Sequence, residues 1–171
     1  MGLQACVFQT PLGWMGLAGQ NRCVWRLVIG HRRADDAWAS LRHHFGDEPL
    51  TESNWYPVLR KALTDFAAGK PVSFDQFAVL AEPRTEFQQR VLSATRAIGF
   101  GETVSYGELA ERVGSPRAAR AVGSVMSSNS VPIIIPCHRV VGSSGALGGF
   151  SAPQGIRLKQ RLLEMEANAR S

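Results

Sequence analysis

Eight residues in the last third of the chain, Ile133-Ile134-Ile135-Pro136-Cys137-His138-Arg139-Val140, constrain it more than any other stretch. Three β-branched aliphatics in a row predict a short buried strand, because branching at Cβ suits the packed, pleated surface of a sheet. Pro136 then removes a backbone donor and ends the ladder, so Cys137 and His138 arrive where the strand runs out. A cysteine reacts as thiolate, and at an unperturbed pKa of about 8.5 only a few per cent is ionised at neutral pH. A usable nucleophile there needs a base or a positive charge beside it, and His138 and Arg139 are the sequence neighbours that can supply one. The competing reading makes Cys137 a small buried hydrophobe and His138 a core histidine with its hydrogen bonds satisfied.

The company of that cysteine bears on the choice. Cys6, Cys23 and Cys137 are an odd set, which argues against a secreted disulfide framework and for reduced thiols. Cys6, Cys23 and His31 lack the short paired spacing of metal ligands, so no metal is predicted. The opening MGLQACVFQT has no basic region followed by a long apolar run, and no apolar stretch approaches the roughly 18 residues of a membrane helix. A cytoplasmic protein with no membrane partner is expected. With 44% hydrophobic and 19% charged positions in 171 residues, the chain can bury one sizeable core or two small ones. The net charge of +5 is unevenly placed: residues 1–85 carry 9 Lys+Arg against 8 Asp+Glu, and 86–171 carry 10 against 6. No acidic residue lies between Arg112 and Leu163, a window holding Arg112, Arg117, Arg120, Arg139, Arg157, Lys159 and Arg161. Cations without anions suit a phosphate backbone, and Cys137 lies among them.

From the N-terminus, Leu3–Phe8, Trp14–Ala18 and Cys23–Ile29 are rich in strand formers. The turn sequences Thr10-Pro11-Leu12-Gly13 and Gly19-Gln20-Asn21 separate them, which predicts an antiparallel meander. Ala34, Trp38, Leu41 and Phe45 recur at helical spacing, with Asp35 and Asp36 in the first turn and Gly46 as a stop. A second helix should carry Trp55, Leu59, Ala62 and Phe66 and end at Gly69-Lys70-Pro71, and Phe74–Leu80 can add a strand. Nothing in residues 1–80 looks catalytic; the adjacent His43 and His44 read as a solvated helix end. Ala81-Glu82-Pro83-Arg84 breaks the pattern and reads as a linker. The expected division is an N-terminal domain over 1–80, a linker over 81–84 and a C-terminal domain over 85–171.

Thr85 and Gln88 form a capping-box signature before Phe87, Val91, Leu92 and Ile98, a helix ending at Gly99 and Gly101. After the strand-like Thr103-Val104-Ser105, Tyr106, Leu109, Ala110 and Val113 fall at i, i+3, i+4 and i+7. Gly114-Ser115-Pro116 predicts a tight turn with a Ser cap and a Pro at the first position of a helix running to about Ser128. Helix, short turn, helix is the pattern in which a second helix enters a DNA groove. On that helix Ala118, Ala121, Val122, Val125 and Met126 can form a core stripe, leaving Arg117, Arg120, Ser124, Ser127 and Ser128 outside. Two arginines on a small-residue face can lie close to a phosphodiester backbone, whereas a major-groove reader would carry Asn, Gln or several Arg. Sequence-tolerant or minor-groove binding is expected; tight helix packing is the other reading of the same small residues. Gly142–Gly145 and Gly148-Gly149-Phe150-Ser151 follow as loops whose backbone can wall a pocket. In the last helix Glu166 shares the face of Leu158, Leu162 and Leu163. A buried carboxylate needs a partner, and His138 is the candidate for a Cys-His-carboxylate relay. A frayed, exposed Glu166 is the alternative.

Three segments together, PCHRV at Pro136–Val140, AARAVGSVMSSN at Ala118–Asn129 and ETVSYGELA at Glu102–Ala110, resemble the O6-alkylguanine-DNA alkyltransferase (methylated-DNA–protein-cysteine methyltransferase) family over about Thr85 to Glu166. The resemblance implies an α+β protein: a small ribonuclease-H-like N-terminal domain of antiparallel sheet plus helices, then a mostly helical, winged helix-turn-helix-like domain. It implies a repair protein that flips O6-alkylguanine, and O4-alkylthymine, out of DNA and moves the alkyl group irreversibly to Cys137, once and without a cofactor. Asn129, His138 and Glu166 would complete a hydrogen-bonded network, with His138 acting on Cys137 through a water. Tyr106 would rotate the target phosphate and donate to the leaving base. Arg120 would enter the minor groove and fill the gap, with Arg117, Ser127 and Ser128 on the same DNA-binding face. Met126, Val140, Phe150 and Ser151 would form the guanine pocket. The implied partner is double-stranded DNA, bound largely without sequence specificity by a monomer, with or without cooperativity along the duplex. Extruding a base costs a few kcal/mol, least for a poorly paired one, so selectivity begins there. The chain departs from the family pattern at Phe150, where Tyr is common, at Ser130 after the asparagine, commonly Pro, and at Ala167 after the glutamate, usually Gly. Two rival readings are a non-catalytic damage sensor of the alkyltransferase-like kind, which lacks the cysteine, and a Cys-His-Glu acyl hydrolase, which leaves the arginine-bearing helix unexplained.

Overall fold

Strand formers alternating with turn chemistry over the first thirty residues produce β1 (Leu3–Thr10), β2 (Gly13–Gln20) and β3 (Cys23–His31), paired antiparallel in sequence order. The computed structural model describes residues 2–80, 82 and 84–170, so half of the linker predicted at 81–84 lies outside the described residues. Helix α1 (Ala34–Phe45) packs on the sheet through the fully buried Ala37 and Leu41. The approach is close: a Cβ on Gly16 would come within 2.9 Å of a Leu41 methyl carbon and 2.8 Å of Val28 Cγ2, which is why the central strand carries glycine there.

Two short strands complete the sheet. β4 (Leu50–Glu52) runs parallel to β1, and after α2 (Pro57–Ala67) β5 (Ala78–Val79) runs parallel to β3, giving the order β4-β1-β2-β3-β5. β5 is much shorter than the predicted strand over Phe74–Leu80, because Phe74 and Phe77 are buried and packed against Phe66 and Tyr56 at ring separations of 5.8 and 5.7 Å. α2 buries Leu59, Leu63, Phe66 and Ala67; Trp55 lies outside it and Leu63, not Ala62, faces inward.

The second half is mainly helical. α3 (Glu86–Arg96) opens on a complete capping box, in which Thr85 Oγ1 accepts from the Gln88 N–H at 3.1 Å and Gln88 Oε1 from the Thr85 N–H at 3.0 Å. β6 (Val104–Ser105) leads into α4 (Tyr106–Arg112), whose N-cap is the Ser105 hydroxyl, and α5 (Ala119–Ser127) follows a turn. α5 starts later than predicted and Pro116 is not its first residue. A turn intervenes: the Ser115 N–H closes α4 on the Ala110 carbonyl at 2.9 Å, and the Ser115 carbonyl accepts from the Ala118 N–H at 2.9 Å before α5 begins. α3, α4 and α5 share a core of Val91, Ile98, Leu109, Ala110, Val122 and Val125.

The strand predicted at Ile133–Ile135 does not form. The three isoleucines sit in a tight turn, closed by the Ile135 N–H on the Val131 carbonyl at 3.0 Å and the Ile134 N–H on the Pro132 carbonyl at 2.9 Å. Ile133 has φ of 73°, the left-handed region, which for a residue with a Cβ costs about 1–2 kcal/mol. Burying all three aliphatic side chains offsets that cost. The strand comes after the cysteine instead: β7 (Val140–Val141) pairs parallel with β6, and α6 (Ile156–Arg170) ends the chain. The architecture is mixed α+β, in two compact units: Met1–Leu80 with Ala152–Gln154, and Ala81–Ser151 with Gly155–Ser171.

Candidate active site

Cys137 opens a single 3-10 turn, Cys137–Arg139, between the isoleucine turn and β7. Asn129 fixes the approach. Its side-chain amide donates to the Ile135 carbonyl at 2.8 Å while its Oδ1 accepts from the Val131 N–H at 3.1 Å, a carboxamide presenting donor and acceptor side by side. The left-handed Ile133 lies between these two anchors, and the Cys137 N–H closes on the Ile135 carbonyl at 2.8 Å. The cysteine is therefore delivered by a turn whose strain Asn129 restrains.

Burial pushes the Cys137 thiol up, against a hydrogen bond from Asn129, the charge of Lys159 and the backbone N–H groups of Cys137 and His138. The resting sulfur thus keeps its proton, and the same donors stand ready for a thiolate once a base removes it. Lys159 is 1% exposed; its ammonium donates to the Val140 carbonyl at 2.8 Å and to the Tyr106 hydroxyl at 3.4 Å. Burial and then the Cys137 charge raise the Tyr106 phenol, so it too stays protonated. The backbone at Gly148 passes Tyr106 so closely that a Cβ there would collide with the phenol oxygen. The glycine-rich loop therefore walls Tyr106.

Glu166 is the hub. His138 Nε2 lies 2.5 Å from Oε2, Arg139 donates through Nε to Oε1 at 2.9 Å and through Nη2 to Oε2 at 3.3 Å, and the Gly101 N–H reaches Oε1 at 2.8 Å. Burial would raise this carboxyl, but the His138 and Arg139 interactions and the Gly101 N–H outweigh it and hold the group down to about 2. Arg139 Nη1 donates to the Ile98 carbonyl at 2.7 Å. The sequence expectation that Arg139 supplies charge to the thiol is corrected here: the guanidinium is drawn to Glu166, and Lys159 is the cation acting on Cys137. The frayed alternative for Glu166 is also overturned, since the side chain is 1% exposed.

The structure brings Asn129, Cys137, His138, Val140 and Glu166 together, with Tyr106 joined through Lys159. Met126 is buried in the same cluster as Cys137 and accepts a weak bond from Thr95 Oγ1 at 3.8 Å; Phe150 packs against that cluster, and Ser151 is exposed. Arg117, Arg120, Ser127 and Ser128 form an exposed group on α5, the turn before it and its C-cap. Ser127 bonds back to the Gly123 carbonyl at 3.1 Å. Ser128 is held by Arg84, whose Nη1 reaches its hydroxyl at 3.1 Å and Nη2 its carbonyl at 3.3 Å.

Sequence reasoning missed Lys159, the Glu166 fork from Arg139, and Gly101. Lys159 was legible in principle, because Lys159, Leu162 and Glu166 fall at i, i+3 and i+7 on the face that carries the candidate carboxylate. Gly101 acts through its backbone and leaves no side-chain signal. Among the described residues no group of three or more His, Cys, Asp or Glu is placed to hold a metal, and no helix is long and apolar enough to cross a membrane.

A family model described as 6-O-methylguanine DNA methyltransferase, DNA binding domain, matches residues 86–168. The methylated-DNA–protein-cysteine methyltransferase of Mycobacterium leprae is 57% identical over 158 residues, 92% of this chain and 88% of that protein. The protein of the same description from Mycobacterium tuberculosis H37Rv is 39% identical over 157 residues, with the same coverage of 92% and 88%. A crystal structure of Mycobacterium tuberculosis OGT in complex with DNA superposes with a TM-score of 0.80 at 35% identity, covering 97% of this chain and 94% of that one.

Proposed function

This chain belongs to the methylated-DNA–protein-cysteine methyltransferase family, and from that premise we propose that Cys137 is the residue that takes the alkyl group from O6-alkylguanine in DNA. The protein is a direct-reversal repair enzyme that transfers the alkyl group to its own cysteine and is spent by doing so. The observation that carries the residue assignment is the buried His138–Glu166 contact of 2.5 Å, one residue from a buried thiol that rests protonated.

The roles follow from the contacts. His138 takes the thiol proton, and the sulfur then attacks the alkyl carbon as the carbon–oxygen bond breaks, its electron pair passing to the guanine. Tyr106, a protonated phenol within reach of Lys159, is the donor placed to return one proton to the departing base. One proton leaves the thiol and one joins the guanine, so the transfer balances without a co-reactant. Asn129 positions the nucleophile turn, and the backbone of Val140 and Ser151 with the ring of Phe150 and the Met126 side chain form the guanine pocket.

Double-stranded DNA is the partner. Exposed Arg117 and Arg120, with Ser127 and Ser128, make the binding face, Arg120 filling the space of a flipped nucleotide from the minor groove. In this reading α4 and α5 act as the helix-turn-helix of a winged domain over 85–171, with β6 and β7 as its small sheet. Residues 1–80 form a ribonuclease-H-like domain, for which the five-stranded sheet and its helices speak. The protein acts as a monomer in the cytoplasm.

Intact-protein mass after incubation with a duplex containing one O6-methylguanine tests this reading. A gain of one methyl, mapped to Cys137, saturating at one per chain and absent in Cys137→Ser, is expected. Methyl on Cys137→Ser protein, or no gain despite binding to that duplex, overturns the assignment, the latter in favour of a damage sensor.

A further inference from the structure

We propose that Arg139, not His138, is the standing counter-ion of Glu166, and that this keeps His138 uncharged at rest so that it can accept the thiol proton. Arg139 is thereby a positioning residue for the reaction. The proposal rests on the transfer role given to Cys137 above.

A carboxylate hydrogen-bonded to a buried imidazole ordinarily favours the imidazolium, which is a poor base because it already carries the proton. Here the carboxylate is shared. Arg139 holds both its oxygens through Nε and Nη2, and the Gly101 N–H takes a further lone pair on Oε1. The guanidinium cannot release its proton, so its charge is permanent. The charged and titratable groups facing His138 are Glu166 and Lys159 from α6, Arg139 and Cys137 on its own turn, and Tyr106 from α4 beyond the sulfur. Among these Glu166 is the one resting anion. A charged His138 would be a third cation against it in a site where His138 is 0% exposed and Glu166 1%. Uncompensated buried charge is costly; burial pushes both Lys159 and His138 down, and the imidazole, starting nearest neutrality, sheds its charge first.

The arrangement also times the proton. Nε2 faces Glu166, so exchange with the thiol runs through Nδ1. When the thiol proton moves to His138, the thiolate formed is a second anion and the imidazolium is tolerated. Once sulfur gains the alkyl carbon, that anion disappears, and the imidazolium again faces two cations with one carboxylate. Its proton is then driven off to refill the Tyr106 phenol, which has given its own to the leaving guanine. Arg139 favours both the resting base and its discharge after transfer.

The test is nitrogen NMR of His138 across pH in the full-length protein, with the rate of transfer from free O6-benzylguanine measured over the same range. In the wild type, His138 should be neutral at pH 7. In Arg139→Gln its midpoint should rise by about one unit or more. The rate at neutral pH should fall in proportion to the charged fraction of His138 and recover as pH is raised through the new midpoint. Arg139→Lys, which keeps the charge but loses the fork, should hold the neutral imidazole at pH 7 whatever its rate, separating the effect of charge from that of geometry. An imidazolium at pH 7 in the wild type overturns the proposal without any variant. So does a folded Arg139→Gln protein with an unshifted midpoint and a loss equal at every pH, the mark of a purely structural role. Should Arg139→Gln fail to fold, the wild-type titration and Arg139→Lys decide. A wild-type protein that gains no alkyl group on Cys137 would sink the transfer reading instead, and the titration would still be readable.

Discussion

The two units of this chain bury different things. Of the buried polar or charged side chains among the described residues, Thr10 lies in the unit built on the sheet, whereas Thr95, Ser105, Asn129, His138, Arg139, Lys159 and Glu166 all lie in the other. The sheet unit is held by apolar burial, with Leu17, Leu27, Leu59, Leu63 and Phe66 at 1% exposure or less. The second unit wraps a comparable apolar core around an ionic network and tolerates a left-handed isoleucine beside it. Burying charge costs free energy unless every partner is in place, so the reactive unit gives up stability that the sheet unit keeps. Buried ions collect where the chemistry is, as expected when function conflicts with packing, whereas left-handed backbone does not, since Asn21, Arg22 and Tyr56 of the sheet unit share it with Ile133.

The largest effects should separate the units by kind. Glu166→Ala leaves Arg139 and His138 buried around an empty site and should cost about 3–5 kcal/mol, read as a fall in the urea midpoint, with loss of most transfer to Cys137. Leu41→Ala, in the packing of α1 on the sheet, should cost about 2–5 kcal/mol by lost burial and cavity formation. The folded fraction of that variant should transfer alkyl at the wild-type rate. If Leu41→Ala slowed transfer as much as Glu166→Ala, the division of labour between the units would be wrong.

How much could be read from the chain divides along the same line. The meander, α1 with its Asp35 and Asp36 start, and the Thr85–Gln88 capping box are local patterns, and the chain obeys them locally. Failures cluster where a tertiary demand overrides a local one. Ile133–Ile135 has the composition of a strand, but the Asn129 anchors six residues before Ile135 bend it into a turn. Pro116 and Ser115 look like a helix start, but a separate turn, closed by the Ala118 N–H on the Ser115 carbonyl, comes before α5. β4 pairs through backbone alone and carries too little pattern in three residues to be seen. In the site, Cys137, His138 and Glu166 were legible from type and spacing. The allocation of cations was not, because which of Arg139 and Lys159 turns toward sulfur is set by α6 and by the Ile98 carbonyl, both distant in sequence.

A smaller effect follows from the titrations. Burial lowers His138 from its ordinary 6.5, and Glu166 is held below its ordinary 4.5. Both groups bind protons more readily in the unfolded chain, so both contribute stability that is present above those ordinary values and lost as pH falls. Unfolding free energy should therefore drop by up to about 1.4 kcal/mol per pH unit below pH 6.5, and more steeply below 4.5 as Glu166 joins. His138→Gln should remove the first window. In the sheet unit, burial also lowers His31, but Asp36 opposes the shift and the side chain is only half-buried. His31→Gln should thus leave the acid slope nearly unchanged. A flat stability profile between pH 6.5 and 4.5 in the wild type would mean that His138 is already charged in the folded protein.

The smallest expected effect tests where the reactive unit begins. Arg84, at the end of the predicted linker, reaches the hydroxyl and carbonyl of Ser128 and the carboxylate of Glu82. The carbonyls of a helix's last turn have no partner within the helix, so the Ser128 carbonyl gains one here. Ser128 directly precedes Asn129, the residue that holds the nucleophile turn. Arg84→Ala should cost about 1 kcal/mol, the net worth of such bonds, and speed hydrogen exchange at the Asn129 N–H, which closes on the Met126 carbonyl at 3.2 Å. Two results would read differently. Faster exchange with unchanged transfer from O6-benzylguanine makes Arg84 a helix cap and nothing more. Faster exchange with slower transfer would show that the grip on Ser128 is felt through Asn129 at Cys137, and would extend the reactive unit's network forty-odd residues upstream of Asn129, to the edge of the sheet unit's sequence.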